Sequence, residues 1–313
     1  MIKEEFYFDS RDGENRIHAV RYTPDDGNVR GIVQIVHGMA EYVERYENLA
    51  EFLTKRGILV TGEDHLGHGK SVSEGGSFGY FCEQDPATVV VRDVHRLKKI
   101  TEEQYPQVPY IILGHSMGSF IVRNYMCRYG SGIDGAVIVG TGMQSSGLIF
   151  ASKAMAGIQK LFCGSKHVSH FIDKAAFGGY NKRIDSPKTS SDWLSRNTDN
   201  VDRYIADELC GFTFTVNGFQ TLFELIRRLQ KQENLEKVPQ NLPILMVSGA
   251  EDPVGDYGKG VHKACDSLKR AGVKNIIVKL YENDRHELLN EDDAETAMED
   301  IWQWICKEVP GIV

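Results

Sequence analysis

Gly114-His115-Ser116-Met117-Gly118 lies between the apolar run Val108–Leu113 (VPYIIL) and Ser119–Tyr129, a stretch with a helical pattern. The run predicts a strand, and a strand, a tight turn and a helix in that order are what a nucleophile elbow requires. The turn strains the serine backbone and leaves no room for a Cβ two residues before or after it. Glycine is the residue that fits at 114 and 118. Such a turn lifts Ser116 Oγ clear of the sheet. The first amides of the new helix stay unpaired beside it and, with the helix dipole, favour negative charge there. Small-residue turns also carry this pattern for structural reasons, but these flanks favour catalysis.

Working outward, strands and helices alternate. Arg16–Tyr22 has strand alternation, Gly31–Val36 (GIVQIV) is an apolar strand ending at His37-Gly38, and Ile58–Thr61 is another strand. Tyr46–Lys55 has helical spacing through Leu49, Phe52 and Leu53, and Pro86–Gln104 reads as a long helix. After the elbow comes Gly135–Val139 (GAVIV), a buried strand. Short β-branched runs alternating with helices imply an α/β fold with a mostly parallel central sheet flanked by helices. From Met143 to Gln240 the alternation stops, leaving helical patterns and loops. One helix carries Leu148, Ala151, Met155, Ile158 and Phe162 on one face, and Phe219–Leu229 forms another. Alternation resumes with the strand Pro243–Val247, the helix Lys259–Arg270, the strand Asn275–Leu280 and the helix Ala294–Lys307. We therefore expect a core formed by 1–142 and 241–313, with 143–240 an inserted helical cap.

The bulk numbers exclude several classes of function. The net charge, 36 basic minus 44 acidic residues or -8, argues against a nucleic-acid partner, because phosphate binding needs a basic face. Mean hydropathy is -0.33 and no long uncharged apolar run occurs, so no transmembrane segment is expected. The charged start, Met1-Ile2-Lys3-Glu4-Glu5-Phe6, lacks the apolar core of a signal peptide, and we expect a cytoplasmic protein. Cys82, Cys127, Cys163, Cys210, Cys265 and Cys306 are scattered without a C-x-x-C pair, which suits reduced thiols rather than a metal cage or disulfide framework.

A serine hydroxyl is a poor nucleophile until a base, itself oriented by an acid, removes its proton. Ser, then Asp or Glu, then His, each just after a strand, is one order that such a triad takes. Pro243–Val247 runs into Ser248-Gly249-Ala250-Glu251-Asp252-Pro253-Val254, and Asn275–Leu280 runs into Tyr281-Glu282-Asn283-Asp284-Arg285-His286-Glu287. Strand carboxyl ends thus carry Asp252 and His286 toward Ser116. Asp252 is preferred to Glu251 and Asp256 because the Asp-Pro pair stops the strand and turns this carboxylate outward. His286 is preferred because no other histidine follows the last strand; His115 reads as a packing or hydrogen-bonding neighbour. Two backbone N–H groups must face the developing oxyanion. One is expected from Met117, the other from Met39 in the loop His37-Gly38-Met39-Ala40-Glu41. Asp64-His65-Leu66-Gly67-His68-Gly69-Lys70-Ser71 lacks metal-ligand spacing and opens no helix as a P-loop would, so it reads as a hydrogen-bonded structural loop. No metal and no cofactor are expected.

These motifs, with Arg45-Tyr46, Glu251-Asp252-Pro253 and Arg285-His286-Glu287, together resemble the α/β-hydrolase superfamily. Within it the chain is most similar to the monoacylglycerol lipase and lysophospholipase group, the serine-aminopeptidase-related hydrolases, over essentially its whole length. The resemblance implies an α/β-hydrolase fold, a Ser116–Asp252–His286 triad and oxyanion donors at Met39 and Met117. It also implies that Glu41 and Arg45, which match a glutamate and an arginine that help to hold glycerol, contact substrate; a pair bracing the loop is the alternative. Asp207-Glu208-Leu209-Cys210-Gly211-Phe212 resembles cap sequences of bacterial lysophospholipases.

The expected reaction is two-step acyl transfer from a carboxylic ester with one acyl chain, such as a monoacylglycerol or lysophospholipid. The apolar cap residues Leu148, Met155, Ile158 and Phe162 would line an acyl tunnel or simply form core. Transient contact with a membrane surface, where made, is expected through the cap. Two alternatives remain open: a peptidase or amidase whose cap acids grip an α-amino group, and a non-catalytic binding protein that kept the fold.

Overall fold

Every residue of five strands is buried, and these five form the middle of one sheet. The structure, a computed structural model, describes residues 1–312. In chain order the strands are β1 (Ile2–Asp9), β2 (Arg16–Thr23), β3 (Gly31–Val36), β4 (Ile58–Glu63), β5 (Tyr110–His115), β6 (Gly135–Val139), β7 (Ile244–Gly249) and β8 (Ile276–Tyr281). Among the described residues they make an eight-stranded sheet in the order β1-β2-β4-β3-β5-β6-β7-β8. β1–β2 and β2–β4 pair antiparallel, and the pairings from β4 through β8 are parallel. Strands buried on both faces read as continuous apolar runs, which is why β3, β5, β6 and β7 stand out in the sequence. The order places β5 and β6 side by side at the centre, with their carboxyl ends at one edge.

The helices are α1 (Glu47–Thr54), α2 (Pro86–Gln104), α3 (Met117–Tyr129), α4 (Ser146–Cys163), α5 (His170–Phe177), α6 (Thr198–Ala206), α7 (Val216–Leu229), α8 (Gln232–Leu235), α9 (Lys259–Arg270) and α10 (Ala294–Glu308). α1 and α10 bury Leu49, Leu53, Ile301 and Ile305 against one face of the sheet. α2, α3 and α9 cover the other with Val94, Ile121, Val122 and Leu268, and α7 extends that core through Phe219 and Leu225. Between β6 and β7 lie α4 to α8 and, among the described residues, no strand beyond an isolated Val168–Thr215 bridge. Four of these helices start on a side-chain cap: Ser145, Ser169, Asn197 and Thr215 each accept from an amide three residues on. Such a cap stabilises a helix by about 1 kcal/mol.

Three features differ from the sequence reading. β1 was not expected: IKEEFYFD is an edge strand paired only with β2, and its exposed charged residues hide the pattern. The elbow strand and helix are shifted inward, to end at His115 and start at Met117, so that Ser116 alone makes the turn. The apolar face of α4 is not a single buried stripe: Ile149 and Ala156 are buried, whereas Ile158 and Phe162 are 59% and 85% exposed. Among the described residues no helix is long and apolar enough to cross a membrane.

Candidate active site

Ser116 occupies φ 52°, ψ -119° between the last residue of β5 and the first of α3. A non-glycine residue held there is strained, and the surroundings hold it: Ser116 N–H donates to Val139 O at 3.0 Å, on the neighbouring β6, and Ser116 O accepts from Ser119 Oγ at 2.5 Å. A Cβ on Gly118 would collide with the carbonyl oxygens of Val36 and His37, because α3 starts in direct contact with the end of β3. That contact brings the Met39 loop over the N-terminus of α3.

Asp252 and His286, the expected acid and base, follow the two strands beyond β6. Asp252 is fully buried, while the rival acids Glu251 and Asp256 are exposed. A side chain on Gly249 would strike the carbonyls of Asp284 and Arg285, and Glu251 N–H donates to Asp284 O at 2.9 Å. The acid turn and the base loop therefore pass in backbone contact. His286 Nδ1 lies 3.0 Å from Asp252 Oδ2, which also accepts from Ser248 Oγ at 3.1 Å; Oδ1 accepts from Val254 N–H at 2.8 Å. The carboxylate is thereby fixed toward Nδ1, leaving Nε2 as the nitrogen available to a hydroxyl. Ser116 and His286 line one cavity without a direct hydrogen bond between them. Such bonds are commonly long in unliganded enzymes and tighten around substrate.

Met39 and Met117 line the same cavity, and the Met39 loop turns through Ala40 at φ 54°. Glu41 closes that loop. Its Oε1 accepts from Gly38 N–H at 2.6 Å, Tyr46 O–H at 2.8 Å and His115 Nδ1 at 3.1 Å, and its Oε2 accepts from Arg45 at 2.9 Å. Arg45 is absent from the cavity wall. Its guanidinium donates twice to Glu287, at 2.7 and 2.8 Å, and once to Asn200 of α6 at 3.3 Å. Glu41 thus reaches the cavity with its oxygens already engaged, and the structure does not bring Arg45 there. Burial opposes ionisation of Glu41, but the His115 bond and the charges of His115 and Arg45 outweigh it and hold the carboxyl below the usual range.

The cavity encloses about 640 Å³. Its wall includes the apolar side chains of Phe120, Leu148, Ile149, Met155, Leu222 and Phe223, together with Ala40, Glu41, Tyr204, Phe212 and Glu287. Ile158 and Phe162, expected as tunnel residues, are not on its wall; Leu148 and Met155 are, with Ala151 of the same stripe and Ile149 beside it, because only the first half of α4 borders the cavity. Sequence reasoning also missed Trp193, whose ring lies 5.1 Å from that of His286, and Glu287 as the partner of Arg45. Nothing around Trp193 marks it, whereas Glu287 adjoins the proposed base.

The Asp64 loop is a hydrogen-bonded brace. Asp64 accepts from Val43 N–H, Lys70 N–H and His18 Nδ1 at 2.8–2.9 Å, and His65 N–H donates to His37 Nε2. Among the described residues, one cluster has donors close enough to share a metal ion: Glu5, His18 and Glu44. Its cation is already supplied, since Lys70 Nζ lies 2.7 Å from Glu5 and 3.0 Å from Glu44.

The family model described as serine aminopeptidase, S33, matches residues 27–293. The monoglyceride lipase of Rattus norvegicus is 27% identical over 293 residues, covering 92% of this chain and 86% of that protein. The monoacylglycerol lipase of Mycolicibacterium smegmatis is 28% identical over 289 residues, covering 92% of each. Among solved structures, a thermostable carboxyl esterase from Bacillus coagulans in complex with glycerol superposes with a TM-score of 0.92 at 31% identity, over 100% of both chains.

Proposed function

The chain belongs to the serine aminopeptidase S33 family and has the α/β-hydrolase fold; from that premise we propose that it is a serine hydrolase cleaving carboxylic esters of single-chain acyl lipids, of monoacylglycerol or lysophospholipid type. The observation that carries this reading is the buried Asp252–His286 bond set beside a strained serine at the wall of a largely apolar cavity. His286 takes the Ser116 proton as Oγ attacks the ester carbonyl. Asp252 holds the tautomer and stabilises the imidazolium, and the amides of Met39 and Met117 receive the oxyanion. The protonated His286 then gives its proton to the leaving alcohol, and water releases the acyl group by the reverse sequence. Segment 143–240 acts as the cap, its α4 and α7 side chains taking the acyl chain, over a core of 1–142 and 241–313. Glu41 and Arg45 brace the Met39 loop rather than bind the head group. Fluorophosphonate labelling should modify wild type and leave Ser116→Ala unmodified, with p-nitrophenyl esters turned over only by wild type. Labelling that persists in Ser116→Ala removes the nucleophile, and activity confined to aminoacyl p-nitroanilides removes the esterase assignment.

The amidase alternative needs a carboxylate free to grip an α-ammonium. Of the acids on the cavity wall, Glu41 and Glu287 are held by Arg45, which leaves Asp173 of α5, whose carboxyl burial pushes up. Anilide hydrolysis abolished by Asp173→Asn would favour that alternative.

The cap also offers a surface to a lipid aggregate. Phe150, Leu161, Phe162 and Phe171 are 65–85% exposed on α4 and α5, beside Lys160, Lys166 and Lys174, in a chain of net charge -8. Exposed apolar groups with lysines close by in the chain fit an anionic lipid surface, and α4 borders the cavity through Leu148 and Met155.

A further inference from the structure

His115 stands next to the nucleophile, and both of its ring nitrogens face oxygens that accept. Nδ1 lies 3.1 Å from Glu41 Oε1 and Nε2 lies 3.2 Å from the backbone carbonyl of His286. A neutral imidazole has one N–H and would leave one of these contacts without a donor. Glu41 has no lone proton to offer, because its oxygens already accept from Gly38, Tyr46 and Arg45. The charges agree. The buried carboxylates Glu41 and Glu287 share a single guanidinium, Arg45, so neutrality of the cluster requires a second cation.

We propose that His115 is a doubly protonated imidazolium and the positioning residue of this site, tying the oxyanion loop to the loop of the catalytic base. The connections close on themselves. His286 O is held by His115, His115 by Glu41, Glu41 by Arg45 and Arg45 by Glu287, the residue after His286. The same Glu41 oxygen grips Gly38 N–H, one residue before Met39. One buried ring of charge thus fixes the imidazole and the oxyanion amide relative to each other, and Asn200 of α6 joins the cap to it by donating to Glu287 at 2.7 Å.

The groups facing His115 determine its response to pH. Burial works against its charge, but the hydrogen bond and charge of Glu41, the charge of Glu287 and the His286 carbonyl raise its pKa. Burial lowers the pKa of His37, against the pull of Asp64 and Glu41, and pushes Tyr46 well above its ordinary value, so both disfavour a charge beside His115. Arg45 is committed to the two carboxylates, and the His286 ring lies 4.8 Å away. As pH rises through the raised pKa, His115 loses one proton, one of the two acceptors loses its donor and the base loop slackens.

The proposal rests on His286 being the base of the hydrolase mechanism, and the experiments separate the two. Nitrogen-15 NMR of wild type at neutral pH should show both His115 ring nitrogens protonated; a bare nitrogen overturns the proposal whatever the enzyme hydrolyses. His115→Asn should lower kcat by up to about a hundred-fold with KM nearly unchanged, the scale expected of a misplacement of about 1 Å, and should lack the alkaline fall of kcat expected of wild type. Where that variant fails to fold, Glu287→Gln supplies the second reading: removing one carboxylate should move the alkaline limb to lower pH. Wild-type kcat in His115→Asn, or an unmoved limb in Glu287→Gln, overturns the positioning role. Loss of fluorophosphonate labelling at Ser116 in wild type would instead remove the hydrolase reading.

Discussion

Asp252 Oδ2 sits 3.0 Å from His286 Nδ1 while accepting the hydroxyl of Ser248 at 3.1 Å, so one oxygen serves both partners. This carboxylate can only accept from Nδ1, which keeps Nε2 free of its proton. An amide at this position can instead present N–H to Nδ1 and hold the wrong tautomer. Asp252→Asn should therefore cut kcat by about ten-thousand-fold with little change in KM or in the melting temperature. Ser248→Ala, which leaves the Val254 N–H bond in place, should raise the barrier by only about 1 kcal/mol. Comparable kcat losses in the two variants would show that the hydroxyl, not the charge, orients His286.

Gly118→Ala tests the packing beneath Ser116. The added methyl meets the backbone of Val36 and His37, which cannot rotate away as a side chain tip would. The expected cost is about 3 kcal/mol of stability, with Ser116 labelling slowed in whatever fraction still folds. A variant that melts with wild type would mean that β3 and α3 are less tightly apposed than the geometry indicates.

The placement of Ser116, Asp252 and His286 just after strands could be read from the sequence because each lies in a local strand-to-turn pattern. The strands before the first two are buried on both faces, which makes their apolar runs unambiguous. What escaped depends on partners distant in the chain. Arg45 and Glu287 are 242 positions apart, and nothing in Arg45-Tyr46 says that its guanidinium turns away from the cavity. Periodicity located α4 but not which of its sides packs: Leu148, Ile158 and Phe162 share the helical spacing of Met155, yet all three are more than half exposed. Edge strand β1 failed for the complementary reason, its charged residues being affordable only because one side faces water.

The exposed side of α4 yields its own prediction. Leu161 and Phe162 are 84% and 85% exposed and lie off the cavity wall, so changing them should not alter turnover of p-nitrophenyl acetate. Together they would bury enough apolar surface in a bilayer that Leu161→Glu with Phe162→Glu should weaken partitioning on the order of a hundred-fold or more. The measurement is co-sedimentation with phosphatidylglycerol vesicles, compared with phosphatidylcholine vesicles. Equal binding of wild type and the double variant would remove the cap from the contact.

Asp93 of α2 contributes stability that falls as pH rises from 5 to 8, opposite in sign to the histidines His37, His65, His68 and His95, whose pKa values burial lowers. Its buried carboxyl accepts from Ser10 Oγ at 2.7 Å and Arg11 N–H at 2.6 Å; burial pushes its pKa up to about 7, the amide bond pulling the other way. Asp284, pushed up to about 6 by burial and then by Asp293 and Glu291, acts with the same sign, and burial with the charge of Asp93 raises Glu63 further. The unfolded chain titrates aspartate near about 3.9, so between that value and 7 the folded protein binds more protons. The contribution is therefore complete below the unfolded pKa and is lost as pH rises through the folded one, by up to about 1.4 kcal/mol per pH unit for each group. Acids held below their ordinary range, such as Glu41, lose their contribution only at lower pH. In urea midpoints at pH 5, 6, 7 and 8, the stability of wild type relative to Asp93→Asn, which keeps an acceptor but cannot ionise, should decline. An identical slope in the two proteins would mean that Asp93 is ionised throughout, and that Ser10 and Arg11 solvate its charge well enough to offset burial.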